Sequence, residues 1–127
     1  MIQETLKSFG QSIGIKNLEF NQEHVIQLEM ENTGSLYFEE DADDLLIYFI
    51  RPLPEQSSQI YKKALSICHL REKYDIPNIK LNAGIFGDDK LVLLIRLAHA
   101  DITLPTIDRC IKLLLKLHKN VEGLIKK

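Results

Sequence analysis

The sequence predicts an α+β domain built on a mainly antiparallel, twisted five-stranded sheet with three helices. Three observations carry that expectation. Apolar residues recur with a helical period near both ends and in the middle of the chain, and with a period of two between. The period-two runs come in pairs separated by turn-forming residues, so neighbouring strands are joined as hairpins. The 127 residues fit one core on a prior of roughly 150 residues per domain, so residues 1–127 read as a single domain.

Ile2, Leu6, Phe9 and Ile13 form one stripe of an amphipathic helix, and Gly14 supplies a left-handed stop. From Val25 the period changes: Ile26, Leu28 and Met30 alternate with Gln27, Glu29 and Glu31. After the turn Asn32-Thr33-Gly34, Leu36 and Phe38 alternate with Ser35, Tyr37 and Glu39, completing a hairpin wet on one face. Glu39 to Asp44 reads as an acidic, solvated loop; its carboxylates lack the spacing of a calcium loop. The strand Leu45–Arg51 follows, ended by Pro52 and Pro54.

Ser57 or Ser58 can cap a second helix with Ile60, Ala64, Ile67 and Cys68 in its apolar band, broken at Asp75-Ile76-Pro77. Lys80–Phe86 and Lys90–Leu97 are strands around the turn Gly87-Asp88-Asp89. Thr103 caps the last helix, with Pro105 in its first turn, where a missing N–H costs nothing. Ile107, Ile111, Leu114, Leu115, Val121 and Ile125 form its apolar stripe; Lys112, Lys116 and Lys119 lie on its wet side. The order is α-β-β-β-α-β-β-α.

Two strands break the expected alternation. Leu45, Ile47 and Phe49 are backed by Leu46, Tyr48 and Ile50, and Leu91, Leu93, Ile95 and Leu97 by Val92 and Leu94. Both faces of these strands are therefore expected to be covered. Three helices are few to sheathe two sides of a five-stranded sheet, and a solvated apolar face is unusual for a monomer. A twofold homodimer is the economical cover; a monomer with a helix on each face is the alternative.

Composition excludes several function classes. Residues 1–60 carry three basic and eleven acidic side chains, and residues 61–127 carry thirteen and seven, for a net charge of −2. A near-neutral chain without Trp has no nucleic-acid footprint. No apolar run reaches the roughly 18 residues of a membrane span, and the first residues lack a secretory pattern. Two widely spaced cysteines fit a reducing, cytoplasmic compartment. His24, His69, His99 and His118 have no metal spacing, Cys68 and Cys110 fall on apolar bands as inert thiols, and no phosphate loop or nucleophile elbow exists. The chain is read as a non-enzyme without metal or cofactor. The edge of the first hairpin could accept an extended peptide as an added strand.

Three stretches carry a family likeness: the opening helix Ile2–Ile13 with Gly14; Leu81-Asn82-Ala83-Gly84-Ile85 through Asp88-Asp89 into Leu91-Val92-Leu93-Leu94; and Leu97-Ala98-His99-Ala100-Asp101-Ile102-Thr103 before a Leu-rich helix. With the element order, these resemble the class I type III secretion chaperones (Tir-chaperone-like), small bacterial cytoplasmic proteins. The resemblance implies a homodimer that binds the extended amino-terminal segment of a secreted effector without using ATP, the export ATPase stripping the cargo. It further implies effector grooves bordered by Leu6, Phe9, Ile13, Ile26, Leu28, Leu36 and Phe38, and a dimer contact through Ile60, Ala64, Ile67, Leu81, Ala83 and Ile85. The pI of about 6.1 and the Lys-rich last helix depart from the acidic character of that family. A dimeric regulatory or adaptor module of the same fold, binding a folded partner or a small ligand, is the alternative.

Overall fold

The computed structural model describes residues 2–15, 18–30, 34–52, 62, 66, 80–87 and 90–125. Helix α1 spans Ile2–Ser12 and buries Ile2, Leu6, Phe9 and Gly10, the stripe expected from its 3.6-residue period. It ends in a Schellman turn. The Ile15 N–H donates to the Gly10 carbonyl at 2.7 Å and the Gly14 N–H to that of Gln11 at 3.2 Å, with Gly14 at φ +85°. The chain then doubles back over α1. The Gln3 amide donates to the Leu18 carbonyl at 3.1 Å and accepts from the Phe20 N–H at 3.3 Å, standing in for a strand partner. Asn21 prepares the first strand, its side-chain oxygen accepting from the N–H groups of Glu23 at 2.8 Å and Val25 at 3.1 Å.

Strands β1 (Val25–Met30), β2 (Gly34–Asp41), β3 (Asp44–Pro52), β4 (Lys80–Phe86) and β5 (Lys90–Leu97) form one sheet in the order β1-β2-β3-β5-β4. All four pairings are antiparallel. The two strands with the most continuous apolar sequence, β3 and β5, are interior neighbours, and β1 and β4 are the edges. Gly34 opens β2 at φ +147°, and a Cβ there would run into the carbonyl oxygen of Ile50. Gly34→Ala is therefore expected to lower unfolding free energy by about 1–3 kcal/mol from backbone strain alone, measurable by urea denaturation.

One face of the sheet is filled from within the chain. Leu36, Phe38, Leu45, Ile47, Phe49, Leu91, Leu93, Ile95 and Leu97 join Ile2, Leu6 and Phe9 of α1 in a single core. Helix α2 (Leu104–Ile125) completes it with Ile107, Cys110, Ile111, Leu114 and Leu117. Thr103 caps α2 as its sequence suggests, its hydroxyl accepting from the Thr106 N–H at 3.3 Å. Lys112, Lys116 and Lys119 are exposed, and Leu115 is partly buried. The side chains of Val121 and Ile125 lie outside the described residues, as do Ser57, Ser58, Ile60, Ala64, Ile67, Cys68 and the break at Asp75-Ile76-Pro77. Lys62 and Ser66, within the expected middle helix, are helical.

The acidic stretch 39–44 differs from the expected loop. Glu39, Glu40 and Asp41 belong to β2 and Asp44 to β3, leaving only Ala42 and Asp43 to turn, with Ala42 at φ +54°. The carboxylates are tolerated because Arg96 of β5 donates to Asp41 and Asp44, each at 2.8 Å. Those two bonds, Asp41 first, hold the Arg96 pKa above its ordinary value. An arginine more than fifty residues away thus converts a repulsive run into a tight hairpin.

Candidate functional site: the outer face of the sheet

Period two assigns alternate residues of every strand to the face opposite the helices. Across that face the registers align Gln27, Tyr37, Tyr48, Leu94 and Asn82 in one row, and Glu29, Ser35, Ile50, Val92 and Gly84 in the next. Leu46, Tyr48, Ile50, Val92 and Leu94 are half-buried, whereas their inward-facing neighbours are fully buried. The second face anticipated as covered is thus half-buried at these positions. Tyr37, Tyr48, Ile50, Lys90, Val92 and Leu94 line a groove of about 400 Å³ on it.

The groove has an aromatic wall and an aliphatic floor. Tyr37 and Tyr48, paired across β2 and β3, stack with ring centroids 4.9 Å apart and planes 9° from parallel. The Tyr48 hydroxyl donates to Glu39 Oε1 at 3.0 Å. Burial first, then this bond to a carboxylate, pushes the Tyr48 pKa upward, so the phenol stays a neutral donor and fixes the ring. Glu39, bonded to Tyr48, stands on the β2 side of the groove, and Lys90 lines it. Beyond it β1 pairs only with β2 among the described residues, and its outer edge presents main-chain groups to any added strand.

The expected effector-contact residues divide sharply. Leu6 and Phe38 are 0% exposed, Leu36 3%, and Phe9 and Ile26 4%. Phe9 and Phe38 face each other with centroids 5.9 Å apart. These five residues are buried in the core shared by α1 and the sheet. Leu28 is partly buried against the core, and Ile13, 49% exposed, is the one whose side chain is presented. Among the expected dimer residues, Leu81 and Ala83 pack partly buried against the core, and Ile85 is 48% exposed on edge strand β4. Ile60, Ala64 and Ile67 lie outside the described residues.

Sequence reasoning noticed the second apolar face of β3 and β5 but did not make it a site; the break in alternation was the available signal. It gave His118 no role. Arg51, at the end of β3, donates from one guanidinium nitrogen to His118 Nδ1 at 2.7 Å and to the His118 carbonyl at 3.2 Å. The imidazole also packs on Phe49 with ring centroids 4.9 Å apart. Since a guanidinium only donates, Nδ1 is the acceptor.

Among the described residues no three His, Cys, Asp or Glu side chains converge as a metal cluster, and no helix is long and apolar enough to cross a membrane. Cys110 is fully buried and burial pushes its thiol up to about 12. Its ordinary value is 9.0, so the unfolded chain ionises first. Cys110 is therefore neutral toward stability at neutral pH and lowers it as pH climbs from about 9 toward 12. Labelling of Cys110 by a thiol reagent at neutral pH is expected to proceed only as fast as the protein opens, and to become rapid in urea; mass spectrometry of the labelled peptide checks it.

Comparison with known proteins places this geometry in context. Residues 1–122 match the family model described as type III secretory system chaperone SycN. The chaperone protein SycN of Yersinia enterocolitica is 29% identical over 121 residues, covering 94% of this chain and 95% of that protein. Among solved structures, a chain of the ExsC–ExsE complex superposes with TM-score 0.77 at 19% identity, over 98% of this chain and 92% of that one. A chain of the HopA1–SchA chaperone–effector complex gives TM-score 0.73 at 16% identity, over 94% and 91%.

Proposed function

Because the chain belongs to the type III secretory system chaperone SycN family, we propose that it is a bacterial cytoplasmic chaperone for a secreted effector. It binds the extended amino-terminal segment of that effector and keeps it soluble and export-competent, without hydrolysing ATP and with no catalytic role. The observation that carries this reading is the half-exposed outer sheet face, with its apolar groove between Tyr37, Tyr48, Ile50, Val92 and Leu94. An unfolded segment has unsatisfied backbone and apolar side chains; a strand edge at β1 beside an apolar groove suits both. A complex of chaperone and effector among the similar structures is consistent with that role. The export ATPase is the partner that would strip the cargo.

The working unit in this proposal is a homodimer. The expected middle helix, to which the helical residues Lys62 and Ser66 belong, would contribute Ile60, Ala64 and Ile67 to the contact, beside Leu81, Ala83 and Ile85 of β4. The exposure of Ile85, 48%, supports an apolar contact at that edge. Two copies would double modest contacts to one cargo chain through effective concentration. Ile85→Asp is expected to weaken self-association by about 100-fold, the effect of losing a contact worth about 2.7 kcal/mol. Sedimentation equilibrium reads it as a shift from twice the chain mass to once that mass. A wild-type protein that sediments as a single chain at micromolar concentration overturns the dimer.

The function is tested by co-expression with candidate effectors encoded nearby. One effector is expected to co-purify with two copies of this chain through its amino-terminal segment alone. Binding of natively folded partners with indifference to effector amino termini would overturn the reading.

A further inference from the structure

Asn21 takes the place of a neighbouring strand at one end of the β1 edge. In an antiparallel ladder, successive residues turn their main-chain groups alternately toward the partner strand and away from it. The Glu40 N–H donates to the His24 carbonyl at 3.0 Å, and Val25 is level with Glu39. His24, Ile26 and Leu28 therefore face β2, and Val25, Gln27 and Glu29 face outward. Asn21 fills the first outward position. Its N–H donates to the Val25 carbonyl at 3.0 Å, and its side-chain oxygen accepts from the Val25 N–H at 3.1 Å. The Glu23 N–H donates to the same oxygen at 2.8 Å. Both bonds that an added strand would make at Val25 are thus already made. The residues before Asn21 do not continue along the edge, because Leu18 and Phe20 are held by the Gln3 side chain of α1. Gln27 and Glu29 are exposed, and among the described residues their outward N–H and C=O groups have no partner.

We propose that Asn21 is the stop that sets the register of a bound effector segment, whose main chain adds to β1 only at Gln27 and Glu29. The proposal rests on the effector-binding reading above and adds where pairing begins and which residue decides it. Two outward residues supply two donors and two acceptors, so four main-chain bonds form whichever way the segment runs. What is recognised is an extended backbone without proline at the positions that donate. Segment residues level with Gln27 and Glu29 extend the rows that pass through Tyr37 and Tyr48, and through Ser35 and Ile50, into the apolar groove. Edge and groove then form one continuous surface for a single chain. A second copy of this protein is a poor occupant. The open edge from Gln27 to Glu29 is about 7 Å long at roughly 3.4 Å per residue, too short to bury the roughly 1,200 Å² of a stable protein interface.

Residue-resolved amide exchange by NMR tests this on the full chain, with a blocked eight-residue peptide of alternating threonine and valine as the probe. In the free protein, Val25, Ile26 and Leu28 are expected to exchange slowly and Gln27 and Glu29 fast. Saturating peptide slows Gln27 and Glu29 at least about tenfold and leaves Val25 unchanged, since its N–H already has an acceptor. The same peptide with proline in place of each valine gives no protection. In Asn21→Ala the Val25 N–H exchanges fast without the peptide and slowly with it, as the added strand advances by two residues. Asn21→Asp keeps the accepting oxygen and behaves as wild type. Protection confined to the other edge, Lys80–Phe86, or equal protection by the proline peptide, overturns the proposal. So does the absence of any protection. The effector-binding reading survives each of these results, because co-purification with an effector decides it separately. An Asn21→Ala protein whose Val25 gains nothing from the peptide removes Asn21 as the stop and overturns the proposal as well. Protection of Gln27 and Glu29 that grows with protein concentration alone, with doubled mass in sedimentation, assigns the edge to self-association and also overturns it.

Discussion

Ile50→Asp combined with Val92→Asp abolishes capture of an effector segment while leaving the fold in place. Both side chains sit on the outer face, half-exposed, in the groove. Neither belongs to the core on the opposite face. In the free protein the new carboxylates stay hydrated, so the folding cost is strand preference, within about 1 kcal/mol per site, plus the repulsion of two like charges directly opposite one another, about 1 kcal/mol or less. Once a segment covers the groove, two unpaired charges must be desolvated against apolar side chains. Each such burial costs several kcal/mol, so affinity is expected to fall by more than about 100-fold, which is about 2.7 kcal/mol. Titration calorimetry against the amino-terminal segment of a co-purifying effector, alongside a urea melt, separates the two effects. Retained affinity would move the cargo to another surface.

Phe38→Ala has the opposite signature. Phe38 is fully buried, opposite Ile26 on β1 and Ile47 on β3, with Phe9 of α1 tilted against its ring at 60°. Truncation removes the apolar area and leaves a cavity between helix and sheet, at a cost of about 3–5 kcal/mol. For a domain of this size that is a large share of total stability. The urea midpoint should drop steeply with little change in slope. Under conditions where the variant remains folded, its affinity for an effector segment should stay close to wild type. A pronounced loss of affinity at unchanged stability would place Phe38, and with it Leu6, Phe9, Ile26 and Leu36, at the cargo surface.

The contrast shows what the sequence could express. Periodicity specifies which residues share a face, so the strands Lys80–Phe86 and Lys90–Leu97 were legible with their limits and the strand Val25–Met30 with its start. The cap at Thr103 and the stop at Gly14 were legible from local chemistry. Periodicity does not say which of two apolar faces receives the helices. Leu6, Phe9 and Phe38 are as apolar as Ile50 and Val92, and only packing decides that the first group is core and the second is surface. The 39–44 turn was misread for a related reason. Six residues rich in carboxylate repel one another in isolation, and the arginine that pairs with two of them is supplied by a strand far along the chain. His118 escaped notice because its partner Arg51 is equally remote.

The tie between Arg51 and His118 spans 67 positions of sequence and fastens the last turn of β3 to the carboxy-terminal helix. Such a distant closure is among the slowest to form, because the intervening chain must first be organised. On the ribosome, β1 to β3 can emerge well before residue 118, yet the end of β3 stays unlatched until that helix has followed. The domain then locks only after residue 118 has emerged, and the nascent hairpins spend that interval with their greasy side uncovered.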